Sequence, residues 1–327
     1  MSTRIVLLVT SPRLPAGLLT AEAWDAVRAY PVFAVAENNQ TQALRVTGVP
    51  VTILDTDAQG FLDAIAGQPA AVWLAGPDGD QSFARQLGLR LAREPGLAEL
   101  ELMYGSWDPP GARLLDAVAV MDRLVSPGGD PWKREQTHRT LAPYLLEESY
   151  EAYDAITGGD TDALREELGD VLLQVVLHAR LAEEREESDR WSIDDVAAGL
   201  VDKMIRRNPH VFAGERVADL EEITANWERI KREEKARDSV LDGIALSQPA
   251  LALAAKILHR IERGGIDVPL PVGDDLGGLL LRVVAEARAA GLDAEAELRA
   301  AALSFAETVR AAEDARITGA PGEPPAR

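Results

Sequence analysis

Four acidic residues stand in two short pairs: Glu148 and Glu151 in LEESYE, Glu167 and Asp170 in REELGD. Members of each pair are three positions apart. On a helix such residues share a face and sit roughly 4.5 Å apart along the axis. Both flanking stretches read as helix, so each pair aims its carboxylates in one direction. If the two helices pack side by side, four carboxylates converge, a costly arrangement unless a hard divalent cation lies between them. Mg²⁺ is the expected ion, because it takes oxygen ligands and commonly bridges to substrate phosphates, with Mn²⁺ as the alternative. Glu147 is a fifth acid, turned about 100° from Glu148 on the helix, able to orient a water or simply be solvated. A lone pair of glutamates is ordinarily a solvated face. Here Val171, Leu172, Leu173, Val175 and Val176 follow Asp170 directly, so the acids border an apolar stretch.

Cations follow in an order suited to a phosphate chain. Lys203, Arg206 and Arg207 close a later helix, with Lys203 and Arg207 sharing a face. Trp227 and Lys231 lie four apart on the next one, an indole and an ammonium suited to a base and a phosphate. The plainer reading is half-buried packing for Trp227 and solvated lysines. Glu135 and His138 form an E-x-x-H, but a di-iron bundle needs two, and none of the other three histidines has an acid three residues earlier. His178, on an apolar helix, reads as a satisfied core residue. Neither a G-x-S-x-G elbow nor a G-x-x-x-x-G-K-[ST] loop occurs.

The elements that must carry these residues fall into two styles. In the first 105 residues, apolar segments at Arg4–Thr10, Pro31–Ala36, Pro50–Leu54, Ala70–Ala75 and Glu99–Tyr104 alternate with helical ones, which predicts an α/β domain with a mostly parallel sheet. The carboxyl-edge loops of that sheet, Thr10–Gly17 and Ala75–Asp80, lack a G-x-G-x-x-G fingerprint and read as ordinary turns. Residues 106–134 form a junction of turns around a short apolar helix. From about 135 the period becomes 3.6. Helices are expected over Glu135–Ile156, over Thr161–Glu186 with Asp160 as N-cap, from after Ser192 to before Asn208-Pro209, and over Leu220–Ala236. Further helices are expected near 248–263, 274–290 and 293–315, with a frayed tail at 318–327. Residues 135–240 then form the catalytic all-α domain. Residues 241–317 form a shortened second helical repeat: Glu166–Arg180 and Asp274–Arg288 agree at eight of fifteen positions, but Asp170 becomes Gly278.

The chain has 327 residues, 46% of them hydrophobic, and no cysteine, so disulfides and thiolate chemistry are excluded. No apolar run is long enough to span a bilayer, and a soluble cytoplasmic protein is expected. A net charge of −20 argues against broad nucleic-acid or membrane binding, so a phosphate ligand must meet local cations or arrive with metal.

The stretch from about Ala112 to Lys235, with LLEESYEAYDAI, REELGDVLLQVVLHAR, DKMIRRNPHVF and NWERIKREEK in sequence, closely resembles MazG nucleoside triphosphate pyrophosphohydrolases. The resemblance implies an all-α fold, an oligomer built on dimers, Mg²⁺, and hydrolysis of NTPs and dNTPs to monophosphate and pyrophosphate as nucleotide-pool housekeeping. It also implies metal binding by Glu148, Glu151, Glu167 and Asp170, triphosphate contacts from Lys203 and Arg207, nucleotide contacts from Trp227 and Lys231, and water positioning by Glu147. Where the family usually has C-P-W-D, this chain has Asp130-Pro131-Trp132-Lys133. Longer members carry two complete helical domains. The N-terminal region weakly resembles a tetrapyrrole-methylase-like domain whose glycine-rich loops have eroded, and methyl transfer is not expected. The rival readings are a non-catalytic oligomerisation bundle with a ligand-sensing α/β domain, and a methyltransferase with an accessory bundle.

Overall fold

A computed structural model describes residues 2–77, 79–214, 217, 219–234, 239–271 and 275–317. Four sequence expectations therefore lie outside the described residues: the helix end at Ala236, the start of the repeat at Asp274, Asp78 in the loop after the fourth strand, and the tail 318–327. The chain divides into two compact units, Met1–Leu200 and Val201–Arg327.

The first unit opens with a parallel sheet of β1 (Thr3–Val9), β2 (Val32–Ala34), β3 (Val51–Ile53), β4 (Ala70–Leu74) and β5 (Ala98–Tyr104). The strand order is β3-β2-β4-β1-β5, with every pairing parallel. Each expected strand is present with ends shifted by one or two residues: β1 and β5 begin one residue earlier than expected, and β2, β3 and β4 are shorter. Helices α1 (Ala21–Ala29), α2 (Asn39–Val46), α3 (Ala58–Ala64) and α4 (Gln81–Arg93) make the crossovers. Alternation along β1 sends Val6 and Leu8 to one core with Ala23 and Val27 of α1, and Ile5 and Leu7 to the other with Phe61, Trp73 and Phe83. A sheet buried on both faces is what a parallel arrangement requires.

The junction holds the short apolar helix expected there and one further helical turn. It forms α5 (Arg113–Val125) and a single turn, α6 (Pro131–Arg134). Asp130 caps α6, accepting from Trp132 N at 2.9 Å, and Pro131 supplies a preset φ at the first helical position. Arg13, its side chain only 10% exposed, ties the loop after β1 to this region by ion pairs with Asp108 and Asp116.

The long helices α7 (His138–Gly158) and α8 (Thr161–Ala182) form a hairpin. The first starts three residues later than expected, because Thr137 and Thr140 build a reciprocal capping box there. It ends at Gly159, whose φ of +70° only glycine adopts without a Cβ penalty. Asp160 caps the next helix at once, accepting from Asp162 N and Ala163 N at 3.1 and 3.0 Å. So short a link forces the two helices antiparallel and side by side. A core of Met121 and Val125 of α5, Leu141 of α7, and Val176 and Leu177 of α8 fixes their faces. Burying each of the two leucines contributes roughly 1.5–3 kcal/mol.

The division between units falls within α9 (Ile193–Arg207), whose start is set by Ser192 and Asp195: Ser192 N donates to the Asp195 carboxylate at 2.7 Å. The second unit continues with α10 (Pro209–Phe212), α11 (Leu220–Glu233), α12 (Ala250–Arg263), α13 (Leu276–Ala289) and α14 (Ala294–Ile317). No helix of the described residues is long and apolar enough to cross a membrane.

Candidate active site

The turn at Gly159 sets the register of the hairpin. Glu151 lies eight residues before Gly159 and Glu167 eight after it; Glu148 lies eleven before and Asp170 eleven after. In an antiparallel pair, equal distances from the turn mean equal height. Glu151 therefore faces Glu167, and Glu148 faces Asp170. Carboxylate oxygens of Glu148, Glu151 and Glu167 all come within 4.8 Å of one another. Asp170 stands beside this group, near enough for its charge to act on both Glu148 and Glu167.

The electrostatics follow the geometry. Partial burial raises the Glu148 carboxyl above the ordinary carboxylate range, and the charges of Asp170, Glu151 and Glu147 push it the same way. Partial burial likewise raises Glu167, with Glu151, Asp170 and Glu166 adding to the effect. Among the described residues the ion pairs of the arginines on α8 go elsewhere: Arg165 pairs with Asp162, and Arg180 with Asp122 and Glu184. Hard oxygen donors, mutual repulsion and partial desolvation together suit a small hard dication such as Mg²⁺. Glu147 is exposed on the flank of the same helix.

The cationic and aromatic residues singled out in the sequence lie in the second unit. Arg206 Nε donates to Glu234 at 2.7 Å, and Arg207 Nη2 donates to the same carboxylate at 2.6 Å. Glu234 is held down to a pKa of about 2 by the Arg207 hydrogen bonds first and those of Arg206 second. The Arg207 guanidinium also lies over the Trp227 ring at 5.2 Å. One face of that indole is therefore already covered. Lys203 is half-buried and has no ion-pair partner among the described residues, while Lys231 is half-buried on α11.

Three groups escaped the sequence reading. Glu234 organises both arginines, and its only signal was its place in an acid-and-base run. Trp132 of α6 meets Tyr144 of α7 edge to face, with centroids 5.9 Å apart. His138 and His178 meet through their Nδ1 atoms at 2.8 Å, rings nearly parallel with centroids 5.1 Å apart, and the Trp191 ring lies 6.0 Å from that of His138. Their approach corrects the expectation of a satisfied core histidine. His178 Nε2 is buried without a hydrogen-bond partner among the described residues, as is Gln174 Oε1 one turn earlier. Burial, then the neighbouring His138, lowers the His178 pKa.

Known proteins resemble this chain in sequence. Residues 136–212 match the MazG nucleotide pyrophosphohydrolase domain, a span that holds all five acids and Lys203, Arg206 and Arg207. An uncharacterized 26.1 kDa protein from Streptomyces cacaoi is 48% identical over 234 residues, covering 71% of this chain and 94% of that protein. A nucleoside triphosphate pyrophosphohydrolase of Mycolicibacterium smegmatis is 48% identical over 217 residues, 65% of this chain and 63% of its own length. The nucleoside triphosphate pyrophosphohydrolase of Escherichia coli K12 is 45% identical over 182 residues, 54% of this chain and 68% of that protein. With the hairpin acids inside the matched span and identity of this order over most of the Escherichia coli protein, the chain belongs to the MazG nucleotide pyrophosphohydrolase family.

Proposed function

We propose that this chain hydrolyses nucleoside triphosphates, ribo or deoxy, to the monophosphate and pyrophosphate, and serves in nucleotide-pool housekeeping. One observation carries the reading: a helical hairpin brings three carboxylates within 4.8 Å, in a chain 45–48% identical to proteins that bear this activity as their name. Glu148, Glu151, Glu167 and Asp170 would hold Mg²⁺, or Mn²⁺ in its place. Such an ion neutralises charge on phosphate oxygens as a Lewis acid. Glu147, exposed beside the quartet, takes a proton from the water that attacks as the bridge between the α and β phosphorus atoms breaks. Lys203 meets the charge that grows on the departing pyrophosphate. Phosphate oxygens compete with Glu234 for Arg206 and Arg207, and Trp227 and Lys231 contact the nucleotide.

Catalysis is assigned to residues 135–240. Residues 1–105 stand outside the chemistry, 106–134 connect the two, and 241–317 form a second helical repeat that has lost its acids. The working form is a cytoplasmic homodimer or larger homo-oligomer; Leu146, Tyr150, Tyr153 and Ile156 leave an exposed apolar strip on α7 that supports this.

The test is a pyrophosphate-release screen over canonical and damaged triphosphates with Mg²⁺, run on the parent chain and on Glu151→Gln and Asp170→Asn. Both variants should lose turnover by about a hundredfold or more, in line with the loss of key transition-state electrostatics, and keep a native helical circular-dichroism spectrum. Near-normal release from both would overturn the assignment. Absence of release from every nucleotide by the parent chain would leave a non-catalytic bundle.

A further inference from the structure

In the parallel sheet, neighbouring strands hand the chain to opposite faces at one place. Helix α1, after β1, packs Ala23 and Val27 into the core beside Val6 and Leu8, and α2, after β2, adds Leu44 to that same core. Helix α4, after β4, sends Phe83 and Leu87 to the other face. Strand β4 lies between β2 and β1, so the loop at its carboxyl end parts from those of both neighbours. Such a switch point leaves a crevice, the place where open α/β sheets take their ligands.

A cavity of about 230 Å³ lies there, lined by Thr10 and Ser11 after β1, Asn38 and Gln40 after β2, and Ala75 and Pro77 after β4. The loops around it are tied in place by the protein itself. Ser11 N donates to Ser106 Oγ at 3.0 Å, and Gly17 N donates to Gln40 Oε1 at 2.8 Å. Thr10 is the second observation. It is only 8% exposed, yet its hydroxyl has no hydrogen-bond partner among the described residues. A nearly buried hydroxyl left unpaired costs free energy that a partner in the cavity would recover.

The lining decides the class of that partner. Among the described residues, no side chain that lines the cavity is charged. The nearby charges are engaged in the frame: Arg13 with Asp108 and Asp116, and Asp80 with Trp73 Nε1 and Gly76 N. A phosphate, carboxylate or ammonium group would enter unpaired, at a steep desolvation cost. The carboxamides of Asn38, Asn39 and Gln40 set donors beside acceptors, which suits the mixed edge of a nucleobase. Pro12, Leu14 and Pro77 add apolar surface for the flat of a base, surface that a sugar alone would leave unused.

We propose that this cavity binds an uncharged nucleoside, at a site separate from the hairpin acids. The proposal does not depend on the chemistry assigned to those acids.

Titration calorimetry on the full-length chain tests this in EDTA, with adenosine, cytidine, adenosine monophosphate and S-adenosylmethionine as probes. The parent is compared with Thr10→Val, Thr10→Ser and Ala16→Phe, the last placing a ring at an exposed position on the cavity wall. Circular dichroism checks that each variant is folded. At least one nucleoside should bind the parent. Thr10→Val should weaken it by about threefold to tenfold, the worth of one hydrogen bond, and Thr10→Ser should restore it. Ala16→Phe should abolish binding. Failure of the parent to bind either nucleoside, or affinity unchanged in both Thr10→Val and Ala16→Phe, would overturn the site. A charged probe that binds more tightly than its nucleoside and is lost in Ala16→Phe would overturn the uncharged class.

Discussion

Glu148 and Glu167 hold their protons more tightly than free carboxyls, and the sign of that shift has a measurable consequence. A folded-state pKa raised above the unfolded value of 4.5 contributes stability below that pH and loses it as pH rises through the folded value. In metal-free protein at pH 7 the ionised cluster therefore opposes folding. Glu148→Gln should raise the metal-free Tm at pH 7 by a few degrees, with the gain vanishing toward pH 4, and should shrink the stabilisation by added Mg²⁺. Scanning calorimetry with and without Mg²⁺ reads all three. A variant Tm equal to or below the parent's, with an undiminished Mg²⁺ response, would mean the carboxylates are not crowded as described. Trp132 belongs to the same scale: its neighbour Tyr144 was invisible as a partner because aromatic contact between α6 and α7 depends on how the intervening turn folds back.

At the level of elements, the α7–α8 hairpin positions the acids and α9 with α11 position the arginines. The hairpin was legible: Gly158-Gly159-Asp160 announces a C-cap followed by an N-cap. The equal spacing of the acids about Gly159 was present in the sequence as well, as a simple count from the turn. The clasp on Glu234 was not, since it joins residues from separate helices. Its pKa of about 2 lies below the ordinary 4.5, so its contribution is present above pH 4.5 and is lost as pH falls through about 2. Glu234→Gln should lower Tm at pH 7, and the gap to the parent should close as pH approaches 2. Thermal melts followed by circular dichroism at several pH values check this. A gap that stays constant with pH would show that the clasp is not what holds those helices. The His138–His178 contact has the same origin, a pairing of helix faces that periodicity alone does not specify.

For the whole molecule, the net charge of −20 is the dominant fact. Like charges spread over one chain repel, and salt screens them over a Debye length of about 10 Å at 0.1 M. Raising KCl from about 10 mM to about 150 mM should therefore raise Tm in the absence of divalent ions. Mg²⁺ at equal ionic strength should raise it further, through the hairpin site, in the parent chain but much less in Glu148→Gln. Equal responses to KCl and Mg²⁺ in both proteins would reduce the metal effect to screening.

Element types, their order and the residues able to bind a hard cation were set by local information: strand alternation, the 3.6-residue period, caps at Thr137 and Asp160, and acids three apart. Those features act over a few residues, so a single chain displays them without folding. The partners were decided only by the fold. Glu234 between two arginines, Trp132 against Tyr144 and His138 beside His178 each join residues from different helices, and such pairs form only when packing of buried apolar faces such as Leu141 and Leu177 selects one arrangement among many.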